Sequence, residues 1–237
     1  MLKKILLLLA CATATYNVTA QIGYGYELGA GMSSMRFAPE IGFTKASKKP
    51  VFSGKVGGLI DASVTPHFYI QTGVYASLKG QQRNFSFYSS DSLNEQVAQT
   101  LHLAYADLPI NLTLKTGTQG KGRVIMGIGC TLSYGIGGSN KLRSSGVDSG
   151  IAFNREINQS VRPKAPLKAF DIGLNLFAGY ELPTGWFFRA YYTAGTNDLG
   201  LSTEIDKNRM WGIAAGKLFG KGRNINQEKD DLIDKSE

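Results

Sequence analysis

The chain has 237 residues, of which 26 are lysine or arginine and 18 are aspartate or glutamate, so its formal net charge is +8. Its mean hydropathy is −0.12, and beyond the N-terminus no segment stays apolar over the roughly 20 residues that a membrane-spanning helix needs. These values exclude a helical inner-membrane protein. The basic residues are scattered and form no recognition motif, so we expect no nucleic acid partner.

The N-terminus has the anatomy of a secretion signal. Lys3 and Lys4 precede a short apolar run over 5–12, and the small residues 18–20 form a cleavage site. We therefore predict a signal peptide over 1–20. Its removal takes away two lysines and no acid, which lowers the net charge from +8 to +6.

The two cysteines leave one alternative open. Cys11 follows Leu8, Leu9 and Ala10, and it would be acylated if the chain were processed as a lipoprotein. Cleavage after residue 20 instead leaves Cys130 as the only cysteine. In that case no intramolecular disulfide forms, although an exported protein meets an oxidising compartment.

Apolar and polar residues alternate most clearly over 168–182. Phe170 and Ile172 point to one side, while Asp171 and Gly173 point to the other. Because successive side chains of a strand face opposite ways, such a segment is a strand with one apolar and one polar face. The pattern occurs eight times, and we predict strands at 22–33, 51–65, 68–83, 100–116, 123–138, 168–182, 186–197 and 208–219.

Long alternating strands behind a secretion signal are typical of barrels with lipid outside and a polar lumen inside. We therefore predict an all-β fold: an eight-stranded antiparallel up-and-down transmembrane β-barrel in the outer membrane. It forms one domain over 21–219, and a polar periplasmic tail follows at 220–237.

The fourth predicted strand breaks the alternation. Leu108 and Ile110 are apolar on one parity, whereas Leu103 and Tyr105 are apolar on the other. If every apolar side chain faces lipid, the strand needs an extra residue between the two halves. We therefore predict a β-bulge near 107–109, where Pro109 would be tolerated.

The connections between strands alternate in length. Those at 65–67, 117–122 and 183–185 are short and rich in glycine or proline, as turns are. Longer loops are predicted at 38–50, 84–99 and 141–167, and we expect any binding specificity to lie there. Outer-membrane barrels carry short turns on the periplasmic side, so both termini are expected in the periplasm.

Aromatic residues are expected at the periplasmic membrane interface, where amphipathic rings are favoured. Five of them fall at the periplasmic ends of predicted strands: Phe68, Tyr180, Trp186, Phe188 and Phe219.

Charged residues on the inward parity predict an ion-pair network in the lumen. Five acids and five bases fall there: Glu27, Asp61, Asp107, Asp171 and Glu181 with Lys55, Lys79, Lys115, Arg123 and Arg189. Buried charges must be paired, and an eight-stranded barrel is about wide enough for side chains to fill it. The balance favours a structural network, and a narrow passive pore is the alternative.

No catalytic, cofactor-binding or metal site is predicted, because the chain has only two histidines and no ligand-spaced cluster. His67 lies in a short turn. His102 lies near the outer end of the fourth strand, and a lipid-modifying enzyme that uses it with Ser86 or Ser133 is the less favoured alternative.

The chain resembles the small outer-membrane β-barrel proteins of Bacteroidetes, often labelled PorT-like or outer membrane protein beta-barrel domain. The similarity covers 21–219. It rests on Tyr105-Ala106-Asp107-Leu108-Pro109-Ile110, which is similar to that family's Tyr-Leu-Glu-(Ile/Leu)-Pro-Leu, and on 170–182, a Pro-Thr-Gly turn and the strand ending YYTAGTNDL. The resemblance implies a barrel and no particular chemistry. The chain does not stop at Phe219, the aromatic residue that ends the last predicted strand, but continues as a polar tail. This differs from barrels whose C-terminal residue is the barrel-assembly signal.

These observations predict a non-enzymatic structural or interaction protein that displays surface loops. It would contact outer-membrane lipid and a protein partner of the outer membrane or periplasm, within a larger assembly. The sequence leaves the partner's identity open.

Overall fold

The computed structural model describes residues 22–36, 45–88, 94–117, 121–148, 151–161, 170–196 and 207–220. This part of the chain is an antiparallel β structure of ten strands. The predicted signal peptide and the tail beyond Gly220 lie outside the described residues. No helix in the described part is long and apolar enough to cross a membrane.

The strands follow one another along the chain as β1 (Ile22–Arg36), β2 (Lys45–Lys49), β3 (Val51–Ser63), β4 (Phe68–Tyr88), β5 (Asn94–Thr116), β6 (Arg123–Asp148), β7 (Ile151–Val161), β8 (Phe170–Glu181), β9 (Trp186–Gly195) and β10 (Lys207–Phe219).

Eight of these strands form a closed ring. Their order is β1-β3-β4-β5-β6-β8-β9-β10, and every neighbour is antiparallel. At one seam β10 pairs with β1, with Phe219 opposite Tyr24. At another β4 pairs with β5, with Phe68 opposite Leu114. The predicted eight-stranded antiparallel barrel is therefore confirmed, and β2 and β7 lie outside the ring.

The two faces of the barrel wall differ as the alternation predicts. In β8 the side chains of Asp171, Asn175 and Glu181 are buried, whereas Leu174 and Leu176 are exposed. The exposed apolar side chains form an outward band that faces lipid. The inward side chains fill the lumen.

One end of the barrel, here called the turn end, has short connections. Between β8 and β9 the backbone amide of Leu182 donates to Trp186, and that of Gly185 donates to Leu182 over 2.9 Å. Gly185 has a φ of 85°, a left-handed conformation that glycine adopts without strain. The opposite end, here called the hairpin end, carries the long connections.

The predicted loops at the hairpin end are wrong over most of their described residues, which are strands instead. β4 continues to Tyr88 and β5 starts at Asn94, so 84–88 and 94–99 belong to the two paired arms of one long hairpin. β6 continues to Asp148 and returns as β7. Within 38–50, β2 pairs with β4. Most of these residues are polar, and only 84–87 alternates, over too short a stretch to predict a strand.

The strand parts beyond the ring form a five-stranded sheet in the order β2-β4-β5-β6-β7, here called the sheet extension: residues 45–49, 82–88, 94–100, 141–148 and 151–161. β6 has 26 residues, whereas β9 has 10. Because about 9–11 residues cross the bilayer, β6 has more than a dozen to spare. Among the described residues the strands of the wall are therefore long at β4, β5 and β6 and short at β8 and β9.

The predicted bulge near 107–109 is wrong. β5 keeps one parity throughout, with Leu103, Tyr105 and Asp107 all buried inside the barrel. The register shift between β5 and β6 lies at Ala104/Tyr105 instead. Leu103 and Tyr105 pack against Met35 in the lumen, so they are apolar residues that face the interior rather than lipid.

Candidate functional site

Ten charged residues were predicted to face the lumen, and the structure places all ten inside. The nine other than Lys55 are buried, and Lys55 is half-buried. They separate into three groups along the barrel axis, so most of the predicted network consists of local clusters rather than one chain of charges.

The turn-end cluster is a balanced set of two bases and two acids. Lys115 Nζ lies 2.5 Å from Asp61 Oδ2 and 2.9 Å from Glu181 Oε2. Arg123 lies 2.7 Å from Glu181 Oε1 and donates to the Tyr69 hydroxyl over 3.0 Å. These groups come from β3, β4, β5, β6 and β8, so the cluster ties five strands together across the lumen.

In the middle cluster two basic side chains form ion pairs with the same carboxylate. Lys55 Nζ lies 2.6 Å from Glu27 Oε1, and Arg189 binds the other oxygen of that carboxylate. Arg189 also donates to the Gln71 side-chain oxygen over 2.6 Å. The Tyr75 hydroxyl donates to Glu27 over 3.4 Å. Glu27 is thus shared by two cations.

The hairpin-end cluster centres on Lys79 and Asp107, which lie 3.1 Å apart. Lys79 also donates to Ser133, and Ser77 donates to Asp107 over 2.6 Å. Asp171 lies in the same half of the barrel, where it accepts a hydrogen bond of 3.0 Å from Asn208.

Aromatic rings inside the lumen are the main feature that the sequence reasoning missed. Lys55 lies 4.1 Å from the centre of the Tyr191 ring, and Arg189 lies 4.1 Å from that of Phe177. Such cation–π contacts stabilise buried bases. The rings sit on the inward parity, so the signal was present, but the predicted lumen network included only charged residues.

Inward glycines make room for these rings. A Cβ on Gly127 would lie 2.2 Å from Phe177 Cζ, and one on Gly216 would lie 2.4 Å from Phe187 Cζ. Side chains at either position would collide with a ring in the lumen. The glycines of the strands are therefore part of the packing.

Between the middle and hairpin-end clusters lies a cavity of about 40 Å³. Its lining includes Lys55, Lys79, Asp107, Arg189 and Tyr191. The ion pairs of the three clusters and the rings of Phe177, Phe187 and Tyr191 lie in the described lumen on either side of this cavity. This arrangement binds the strands to one another, and it offers little room for solute passage.

The five predicted interface aromatics all lie at the turn end and point outward. Phe68, Tyr180, Trp186 and Phe188 are exposed, and Phe219 is half-buried. Two tyrosines of β1 join them, which the sequence reasoning had not included: Tyr24 stacks on Phe219 with ring centres 5.9 Å apart, and Tyr26 meets Trp186 edge-on at 6.2 Å.

The candidate enzymatic residues do not come together. His102 is on the outward parity of β5, whereas Ser133 is buried in the lumen and bound to Lys79. Ser86 pairs with Gln96, six residues from His102 along β5 and hence about 20 Å away. The cross-strand neighbour of His102 is Ser139. Among the described residues, no three histidine, cysteine or acidic side chains could hold a metal ion.

The sheet extension is strongly basic. Its strands contain seven lysines or arginines and three acids, a net charge of +4. Lys141 and Arg143 share Glu156, at 2.5 Å and 2.9 Å. Hydrogen bonds from Lys141 and then Arg143 hold the pKa of the Glu156 carboxyl below its ordinary value. All three side chains are well exposed, so this surface is open to a partner.

The two faces of the extension differ. The registers of the β5–β6 and β6–β7 pairs place Lys141, Arg143 and Glu156 on one face of the extension. This face continues the lipid-facing side of the barrel. The opposite face continues the lumen side, and it contains Leu142 and Ile157, of which Ile157 is exposed. A basic face and a partly apolar face are thus presented by one sheet.

A closed β-barrel with an outward apolar band, an aromatic girdle and a charged, filled lumen is an outer-membrane β-barrel. The chain belongs to the family described as outer membrane protein beta-barrel domain, whose model matches residues 15–200. It is therefore an outer-membrane protein in contact with membrane lipid.

Several solved structures contain a similar barrel. Ail, the attachment invasion locus protein of Yersinia pestis, in complex with the heparin analogue sucrose octasulfate, is 12% identical over 84% of this chain and 99% of that chain, with a TM-score of 0.39. Neisserial surface protein A is 13% identical over 83% and 97%, with a TM-score of 0.34. The outer membrane enzyme PagL is 11% identical over 81% and 98%, with a TM-score of 0.32. No curated protein matches the chain.

Proposed function

We propose that this protein is a non-enzymatic outer-membrane barrel whose sheet extension binds a protein partner at the cell surface, within a larger outer-membrane assembly. The observation that carries the proposal is the extension itself. It is a basic five-stranded sheet built beyond the barrel, and within the described residues it continues the wall only on the side of β4, β5 and β6.

The proposed orientation puts the turn end and both termini in the periplasm. The short connections and the aromatic girdle support it, because outer-membrane barrels have short periplasmic turns. The signal peptide over 1–20, processing after residue 20 rather than at Cys11, and the PorT-like character of the chain belong to the same proposal. The extension then projects outside the cell.

The two edges of the extension differ in a way that favours β7 as the docking edge. β2 has five residues, three of them lysine, and Pro50 follows it. Lysine and proline protect edge strands from pairing. β7 has eleven residues and neither lysine nor proline. Within the described residues neither strand has a partner on its outer edge, so β7 is the open template for strand addition.

A second copy in the same membrane does not suit this edge. In two copies with the same orientation in the membrane, the β7 strands would run in the same direction. The two β7 edges could therefore not form an antiparallel pair. The expected occupant is an extended strand of another protein. The net charge of the extension favours an acidic segment.

Site-specific photo-crosslinking in intact cells tests the proposal. A photo-reactive residue at Asn158 of β7 should capture one defined protein through an extended segment, and the same residue at Ser47 of β2 serves as the matched control. With the probe kept at 158, Asn154→Lys, which gives β7 the protection that β2 has, should abolish capture. Equal labelling at both edges, or adducts with lipid alone, would contradict the proposal.

Two further measurements test the claims that the protein is not an enzyme and that its barrel does not conduct ions. Purified protein in a planar bilayer should show no unit conductance, because the lumen is filled by ion pairs and rings. His102→Ala should leave surface lipid composition unchanged. A defined conductance step, or an altered lipid profile, would overturn the corresponding part.

A further inference from the structure

The lumen cavity has a composition that the ion-pair network does not explain. Three bases line it, Lys55, Lys79 and Arg189, together with one carboxylate, Asp107. From these residues we propose that the cavity is a binding site for a small monovalent inorganic anion such as chloride. The site lies inside the barrel, away from the sheet extension, so it goes beyond the proposed docking function.

The local charge is the first argument. Glu27 is shared by Lys55 and Arg189, and Asp107 is engaged by Lys79 and Ser77. Three cations and two carboxylates therefore line or contact the cavity, a net charge of +1 at its wall. The third acid of this half of the lumen, Asp171, is not among the lining residues and accepts a hydrogen bond from Asn208. The turn-end cluster, by contrast, is neutral with two bases and two acids. A buried charge without a counterion is costly, and one bound anion would neutralise this group.

Unpaired donors are the second argument. Arg189 Nε and the Tyr191 hydroxyl have no hydrogen-bond partner in the structure, although both residues are more than nine-tenths buried. Buried donors are almost always paired. Both belong to residues that line the cavity, so an acceptor bound there would supply the missing partner.

The size of the cavity limits the ligand. A volume of about 40 Å³ holds roughly three water-sized groups. Water could accept from Arg189 and Tyr191, but it would leave the positive charge uncompensated. A monovalent anion satisfies both the donors and the charge.

Unfolding of the purified, detergent-folded protein provides the solution test. A ligand at concentration L that binds only the folded state stabilises it by RT ln(1 + L/Kd), so the unfolding midpoint rises with the logarithm of the ligand concentration above Kd. Sodium chloride should therefore raise the midpoint above that in sodium gluconate at equal ionic strength. Crystals grown in sodium bromide should show an anomalous peak within hydrogen-bond distance of Arg189 and Tyr191.

Variants separate a binding site from a general salt effect. Tyr191→Phe removes one donor and should weaken the apparent chloride affinity by about tenfold, the order expected for a hydrogen bond to a charged group. Lys55→Met removes a charge and should weaken it at least as much. Tyr105→Phe is the matched control, since its hydroxyl binds Asn208 and does not line the cavity; it should leave the affinity unchanged.

Three results would overturn the site. Equal midpoints in chloride and gluconate would do so, as would water in the cavity of bromide-grown crystals. A bromide peak without any chloride dependence in solution would mark an adventitious ion only. If Lys55→Met does not fold, Tyr191→Phe against Tyr105→Phe decides the question.

Discussion

The lumen and the sheet extension contain ion pairs of the same chemistry in opposite surroundings. Lys115 and Glu181 lie 2.9 Å apart with side chains 2% and 4% exposed. Lys141 and Glu156 lie 2.5 Å apart with side chains 38% and 45% exposed. Water screens the second pair and not the first. The comparison teaches that the lumen charges hold the barrel together, whereas the charges of the extension remain available to a partner.

The largest effect is expected from breaking the turn-end cluster. Lys115→Met leaves Asp61 without its base and takes one of two cations from Glu181, so two buried carboxylates lose compensation. Removing one partner of a buried pair typically costs about 3–5 kcal/mol. We expect a loss of this order in the free energy of unfolding, measured by guanidinium titration of the protein refolded into lipid vesicles.

A double variant sharpens this test. Asp61→Asn with Lys115→Met removes an acid and a base together, so it should cost less than the sum of the two single variants. A single variant that loses less than about 1 kcal/mol, the upper range for surface pairs, would show that water reaches the cluster.

An intermediate effect is expected at a glycine of the wall. Gly127→Val puts methyl groups where Phe177 lies, since even a Cβ would be 2.2 Å from that ring. Overpacking of this kind costs typically about 1–3 kcal/mol. The same vesicle titration measures it. Phe177→Leu in the Gly127→Val background should recover part of the loss, and failure to recover would place the strain elsewhere.

A smaller effect is expected when the extension is shortened. Leu142 and Ile157 are cross-strand partners in β6 and β7. Joining them through a two-residue Asn-Gly turn removes the hairpin tip without disturbing the ring. We expect the barrel to stay folded and heat-modifiable on gels, with less than about 1 kcal/mol lost, a change typical of surface alterations. Loss of the folded band would show that the extension supports the barrel.

The same contrast explains what could be predicted from sequence. Inside the membrane each strand separates lipid from lumen, so residues alternate and the ring of eight strands can be counted. The inward parity of Lys115, Glu181 and Arg189 follows from that alternation alone. Their partners do not, because which charges meet across the lumen depends on the stagger of the strands.

Two failures have physical causes. The apolar character of Leu103 and Tyr105 predicts that they face lipid, but Met35 gives them an apolar neighbour inside the barrel. The extension was missed because outside the membrane both faces of a strand meet water. Nothing then forces residues of β6 beyond Gly138 to alternate, and the segment reads as a loop.

The smallest effect is expected at Glu156. Its folded-state pKa lies below the ordinary 4.5, through hydrogen bonds from Lys141 and Arg143. For a lowered pKa, any stabilisation is fully present above the ordinary value and is lost as the pH falls through the folded-state pKa. Since the Glu156 side chain is open to solvent, with 45% of its surface exposed, we expect Glu156→Gln to leave the unfolding midpoint unchanged at pH 7. Carbon-detected NMR titration of Glu156 should show the lowered pKa, and Lys141→Gln or Arg143→Gln should each raise it. If Glu156→Gln destabilised the barrel, the exposed ion pairs of the sheet extension would contribute to stability as the buried pairs of the lumen do. The contrast between the two regions would then be wrong.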